Sequence, residues 1–145
     1  MSRTVTTYGL GVKFTADEQS LQRIAMGGTI KLASFTDAKF GTAGNRVIPA
    51  GTVVIRDTDK SLIPAAGTEA AGKAFLMASD IVEAPVPGTS RGSDLTTGLY
   101  AGGVIYEDQL PDATGTPKVL SAGLKTALGS NFIFQASQGS LIVTV

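Results

Sequence analysis

Three groups of carboxylates are the residues best able to do chemistry: Glu107, Asp108 and Asp112 in one run, Asp57 and Asp59 in a second, Asp80 and Glu83 in a third. Paired acids hydrolyse glycosides or hold calcium only where their side chains converge. Glu107 and Asp108 are adjacent, so in extended chain they point to opposite sides, and a solvated turn is the simpler reading. Asp57-Thr58-Asp59 opens like a calcium loop but lacks the central glycine and distant glutamate of that motif, which leaves a turn. Ser121 and Lys125 are four apart, not at the Ser-x-x-Lys spacing of lysine-assisted nucleophiles, and a surface helix accounts for them. Gly41 to Gly44 and Gly98 to Gly103 are glycine-rich, yet neither has the spacing of a phosphate-cradling loop.

The chain contains no histidine and no cysteine. It therefore lacks the commonest general base, the commonest transition-metal ligand, thiolate nucleophiles and disulfides, so an enzyme is not expected. Twelve basic residues balance twelve acidic ones, so no net field draws the chain to a polyanion, and neither nucleic acid nor an anionic membrane is an expected partner. Tyr8, Tyr100 and Tyr106 are too few to form a base-stacking platform and suit a core or an interface. The opening MSRTVTTYGLGVKF holds no continuous apolar run, so no secretory signal is expected, and no window approaches a membrane span. At 145 residues the chain suits one domain.

The elements that must position these residues are mostly short strands. Residues 1–14 mix small polar side chains with Val5, Tyr8, Leu10, Val12 and Phe14, which reads as an extended arm able to add a strand to another sheet, or as a chain end without fixed structure. Thr15 and Glu18 have the spacing of a capping box ahead of Leu21, Ile24 and Ala25, predicting a short helix over Ala16 to Met26. Strands are expected over Thr29 to Phe35, Val47-Ile48, Thr52 to Ile55, Leu62-Ile63, Lys73 to Val82, Leu99 to Tyr106, Phe132 to Phe134 and Leu141 to Val145. Gly102-Gly103 predicts a bulge or a close backbone approach. Residues 83–97, with Pro85, Pro87 and Gly92, read as an exposed loop. A second helix is predicted from Thr116 as cap, with Pro117 at its first position, to Gly129.

One block carries a resemblance. A strand ending in GGVIYEDQLPD (Gly102 to Asp112), a helix VLSAGLKTAL (Val119 to Leu128) and a strand NFIF (Asn131 to Phe134) resemble the lambda-like head decoration proteins of tailed bacteriophages. VIPAGTVV (Val47 to Val54) and GKAFLMASDIVE (Gly72 to Glu83) are similar to the first body strands of that family. The resemblance implies a mainly β fold with one or two short helices (α+β), a β-tulip-like body with an extended N-terminal arm. It also implies a non-enzymatic cement that binds the outside of the expanded capsid as a trimer at local threefold positions and opposes internal DNA pressure. The partners would be the major capsid protein and a homotrimer of the chain itself, with no cofactor and no metal, and the location the virion exterior after synthesis in the host cytoplasm.

On this reading residues 1–14 are the capsid-binding arm, through Thr4, Val5, Thr6, Thr7, Tyr8, Leu10, Val12 and Phe14. Residues 15–46 are an N-terminal elaboration with a short helix and strand, and 47–145 the β-rich body of a single domain. Tyr100, Val104, Tyr106 and Leu110 are the candidate trimer contacts. The alternatives are another virion subunit, such as a tail-tube or connector protein, which would polymerise into rings, and a β-rich host-surface or carbohydrate-binding module, disfavoured by the absence of tryptophan.

Overall fold

One long strand organises the molecule. In the computed structural model, which describes residues 14–42, 44–83 and 95–136, Leu95–Tyr106 pairs along both of its edges. In chain order the strands are β1 (Thr15–Ile30), β2 (Val47–Ile48), β3 (Val53–Arg56), β4 (Leu62–Pro64), β5 (Ala74–Met77), β6 (Ile81–Val82), β7 (Leu95–Tyr106) and β8 (Phe132–Gln135), with one α-helix, α1 (Ala122–Leu128), before β8. The fold is mainly β with a single short α-helix, supplemented by 3-10 turns at Leu32–Ser34, Ala38–Phe40 and Glu107–Gln109.

β7 runs antiparallel to β1 from Thr15↔Ile105 to Ile30↔Leu95. Its other edge takes β5 antiparallel at Leu76↔Tyr100 and then β8 parallel from Gly103↔Phe132 to Tyr106↔Gln135. β5 pairs with β3, β3 with β4, and β4 meets β1 again in parallel at Ile30↔Leu62. The circuit β1–β4–β3–β5–β7–β1 is therefore closed, its β1–β4 seam resting on the single pair Ile30↔Leu62. β2 and β6 form a separate antiparallel pair.

Alternation along the strands divides the apolar residues between two cores. Ile30, Leu62, Val54, Met77 and Leu99, one from each strand of the circuit, meet in the first, with Leu32, Phe35, Phe40, Ile48 and Ile81 packed into it. Val53, Ala74, Leu76, Tyr100 and Ile105, on the opposite face, are covered by Phe14, Leu110, Leu120, Ala127, Leu128 and Phe132. Because β7 lies between both cores, consecutive residues Leu99 and Tyr100 are each buried, and the strand reads as a continuous apolar run instead of an alternation.

The helix predicted over Ala16 to Met26 is not formed; the segment is the first half of β1. The local turn chemistry is present, but it bends a strand instead of starting a helix. The Asp17 carboxylate accepts the Gln19 N–H at 3.0 Å, the Ser20 hydroxyl donates to the Asp17 carbonyl at 2.6 Å, and Ser20 Oγ accepts the Val104 N–H at 3.0 Å. Between Asp17↔Val104 and Gln22↔Gly102, β1 spends five steps while β7 spends two, so β1 bulges outward. The bulge passes over the Gly102-Gly103 pair singled out from the sequence, where a Cβ on Gly103 would lie 2.8 Å from Leu21 Cδ2 and φ is +143°. A narrow stripe of Leu21, Ile24 and Ala25 offers little to hold a helix, whereas pairing with β7 ties eight residues of the segment, from Thr15 to Ile30, into a ladder.

Residues 15–46 are consequently not an elaboration beside a body. They supply β1 to the main circuit and Phe35 and Phe40 to the first core, the two rings meeting edge to face at 5.2 Å. The expected strand over Thr29 to Phe35 ends at Ile30, where the chain turns into the 3-10 segment Leu32–Ser34. The second helix is shorter than predicted. Its cap is Ser121, whose hydroxyl accepts the Leu124 N–H at 3.2 Å, while Thr114 and Val119 bond each other in the turn where Thr116 and Pro117 were expected to begin it. Gly129 ends it as expected, at φ +91° with its N–H donating to the Lys125 carbonyl. The expected strand at Leu141 to Val145 and most of the 83–97 loop lie outside the described residues.

Candidate interaction surfaces

Phe14, the last residue of the segment expected to be an arm, is the first one described. This residue is 7% exposed, its ring meets Tyr100 edge-on at 6.2 Å, and its carbonyl accepts the Tyr106 N–H at 2.7 Å. Phe14 is therefore an anchor in the second core and not an arm contact, because its apolar ring gains more from that core than from water. Thr4, Val5, Thr6, Thr7, Tyr8, Leu10 and Val12 lie outside the described residues.

The four candidate trimer contacts separate in the same way. Tyr100 (7% exposed) and Leu110 (3%) are buried in the core beside Phe14 and cannot offer a surface to a neighbour, which corrects the expectation for both. Val104 and Tyr106 are half-buried and retain accessible surface. The large apolar side chains left exposed among the described residues are instead Ile133 (56%) and Val119 (42%). Ile133 was legible in NFIF: with Phe132 and Phe134 on one face of the strand, the residue between them must face the other way. Among the described residues β8 pairs on one edge only, with β7.

The carboxylates are occupied as structural ties. Glu107 holds the Lys125 ammonium at 2.8 Å and accepts the Leu120 N–H, tying the 107–109 turn to α1. Lys125 also sits 5.5 Å from the Phe134 ring centroid. Asp112 bridges Lys39 at 2.6 Å and the Val53 N–H at 2.8 Å. Asp57 and Asp59 share the Lys31 ammonium at 2.7 and 2.9 Å, and the hydrogen bonds from Lys31 lower both acids' pKa values. Glu83, mostly buried, accepts from the backbone N–H groups of Gly44 and Arg46 and from the Arg46 guanidinium, which in turn reaches the Phe35 carbonyl.

Asp80 accepts the Ala50 N–H at 2.6 Å through one oxygen, while its other oxygen is buried with no hydrogen-bond partner. Burial raises its pKa against the lowering effect of that one bond. No group of three or more metal-capable side chains occurs among the described residues, and Ser121 serves as a helix cap. Nor is any described helix long and apolar enough to cross a membrane.

The surface carries a depression of about 610 Å³ between β3, β5 and the 69–73 turn, lined by Phe75, Arg56 and Lys73 with Ile55 at its margin. A second, of about 460 Å³, lies over β1 and β7 beside Arg23, Ile24 and Thr97. A scan of the chain against protein-family models finds no match, and a search of curated proteins finds none either.

Proposed function

We propose that the protein is a non-enzymatic capsid decoration protein, binding the outside of an expanded phage head as a trimer at local threefold positions. The observation that carries the reading is the Phe14 anchor. The chain preceding it starts from a fixed point at the end of β7, and thirteen residues, MSRTVTTYGLGVK, extend from there. Fully extended, they reach about 43–47 Å, enough to leave the body and run along a neighbouring subunit. Backbone donors and acceptors in such a segment pair with a sheet edge, while Val5, Tyr8, Leu10 and Val12 give selectivity. The mainly β body and the likeness of Tyr100 to Phe134 to the decoration family support the same reading.

Each subunit then needs only modest affinity. A trimer engaging several capsomers gains effective concentration, and avidity exceeds single-site affinity by roughly a hundredfold or more. Val104 and Tyr106 remain the contacts proposed for the trimer. The test is to mix the protein with undecorated expanded shells and image them. Density is expected at the local threefold positions with the full chain and not with residues 1–13 removed. Undiminished occupancy by the truncated chain refutes the arm assignment, and shells left bare by the full chain refute the function.

A further inference from the structure

The groove flanked by Arg56 and Lys73 has a chemistry that the fold does not use. Phe75 on β5, on the same face as Arg56, gives it a half-buried apolar floor, while the Ile55 side chain faces the second core, and Ala70 and Gly72 form its far wall. The Arg56 guanidinium lies 5.8 Å from the Phe75 ring centroid and donates to two carbonyls, Gly27 at 2.8 Å and Lys60 at 3.4 Å. Neither bond neutralises its charge, and no carboxylate among the described residues pairs with Arg56 or Lys73. The one acid in the groove, Glu69, is turned away into its own turn, its two oxygens accepting the Ala66 and Gly67 N–H groups at 2.9 Å each. The groove thus combines apolar surface with two cations that lack counter-charges.

We propose that this groove binds an acidic segment of a partner protein, seating an apolar side chain on Phe75 and placing a carboxylate between Arg56 and Lys73. Charge complementarity selects that occupant over this chain. Residues 1–13 carry Arg3 and Lys13 and no acid, residues 137–145 carry no charged side chain, and residues 84–94 carry one acid, Asp94, offset by Arg91. In a second copy the carboxylates of Asp57, Asp59, Glu83, Glu107 and Asp112 already hold cations of their own chain, and those of Asp17, Asp37, Glu69 and Asp80 accept backbone N–H groups of their own chain. A foreign segment with a free carboxylate gains, without giving up an existing bond, what these would have to exchange one for: a charge-assisted hydrogen bond beside buried apolar area.

The test is an amide chemical-shift titration of the full chain with the blocked peptide acetyl-Asp-Phe-Glu-Leu-amide, against its neutral Asn/Gln counterpart. The acidic peptide is expected to bind with millimolar affinity, shifting the amides of Ile55, Arg56, Lys73 and Phe75. The neutral peptide is expected to bind about three- to tenfold more weakly. Lys73→Glu should weaken the acidic peptide at least as much. Its side chain has no ion-pair partner among the described residues, so that variant keeps the fold, whereas Arg56→Gln also removes the bond to Gly27. Equal affinity for the two peptides, shifts confined to other surfaces, or no effect of Lys73→Glu overturns the proposal. Concentration-dependent shifts at the same amides without peptide assign the groove to a second copy and overturn it too. The groove belongs wholly to the body, so its failure and that of the 1–13 arm are read in separate experiments.

Discussion

Truncating Phe14 to alanine tests whether the body begins at this residue, with the proposed arm before it. The ring is 7% exposed, lies edge-on to Tyr100, and closes on Gly51, where an added Cβ would stand 3.2 Å from Phe14 Cδ1. Removing a buried phenylalanine costs about 3–5 kcal/mol, including about 0.5–1.5 for the aromatic pair. Phe14 lies at the chain's entry to the core, just before β1, and the low end, about 3 kcal/mol, is taken as the expectation. The Phe14 carbonyl still accepts the Tyr106 N–H in the variant, so the loss is one of packing alone. Against a typical total of about 5–15 kcal/mol this is a large fraction. Removing residues 1–13 should instead stay within about 0.5 kcal/mol of the full chain. Urea titrations followed by circular dichroism give both numbers, and unchanged m-values would show that the unfolded states are comparable. A cost below about 1 kcal/mol for Phe14→Ala, or an equal loss on removing 1–13, would refute the anchor.

Gly123→Ala in α1 should destabilise, although alanine is the better helix former by about 1 kcal/mol, because its Cβ would lie 2.0 Å from the Gly67 carbonyl oxygen. A thermal melt rising above wild type would contradict this. Glu83→Ala, which leaves the mostly buried Arg46 guanidinium without its counter-charge, should cost about 3 kcal/mol by urea titration, with Glu83→Gln milder. Asp80 and the Lys31 cluster should respond to pH with opposite signs. The raised pKa of Asp80 means that its ionisation costs stability as pH climbs through and above the ordinary value of 3.8, so Asp80→Asn should gain on wild type between about pH 3 and pH 7. The lowered pKa values of Asp57 and Asp59 contribute stability above the ordinary range that is lost on acidification, and Lys31→Ala should flatten that part of the profile. Melting temperatures across the pH range check both signs.

Signals set by the local chain were legible, and those set by distant partners were not. Gly129 as a helix stop, Gly102-Gly103 as a close approach, and the strands at Val47, Phe75 and Phe132 each depend on a few adjacent residues, and each is present. The stretch Thr15 to Ile30 was misread because its turn-forming Asp17 and Ser20 have the vocabulary of a helix start, while its fate depends on β7, some eighty residues away. Among the candidate contacts, Tyr100 and Leu110 were chosen for apolarity, a property shared by core and interface; only knowing that β7 lies between two cores separates the two uses. The Arg56–Lys73 groove had no signature at all, because it joins residues of two strands and a turn that are not neighbours in the chain.

The closed strand circuit also orders events on the ribosome. β1 emerges before its partner, and the ladder that completes it is supplied by Leu95–Tyr106, so the strand waits for residues made 65 to 90 positions later. Until then its unpaired amides and Ile30 stay open to other chains, a window in which a holding chaperone, or a slower start to translation, would change the yield of native protein more than its final stability.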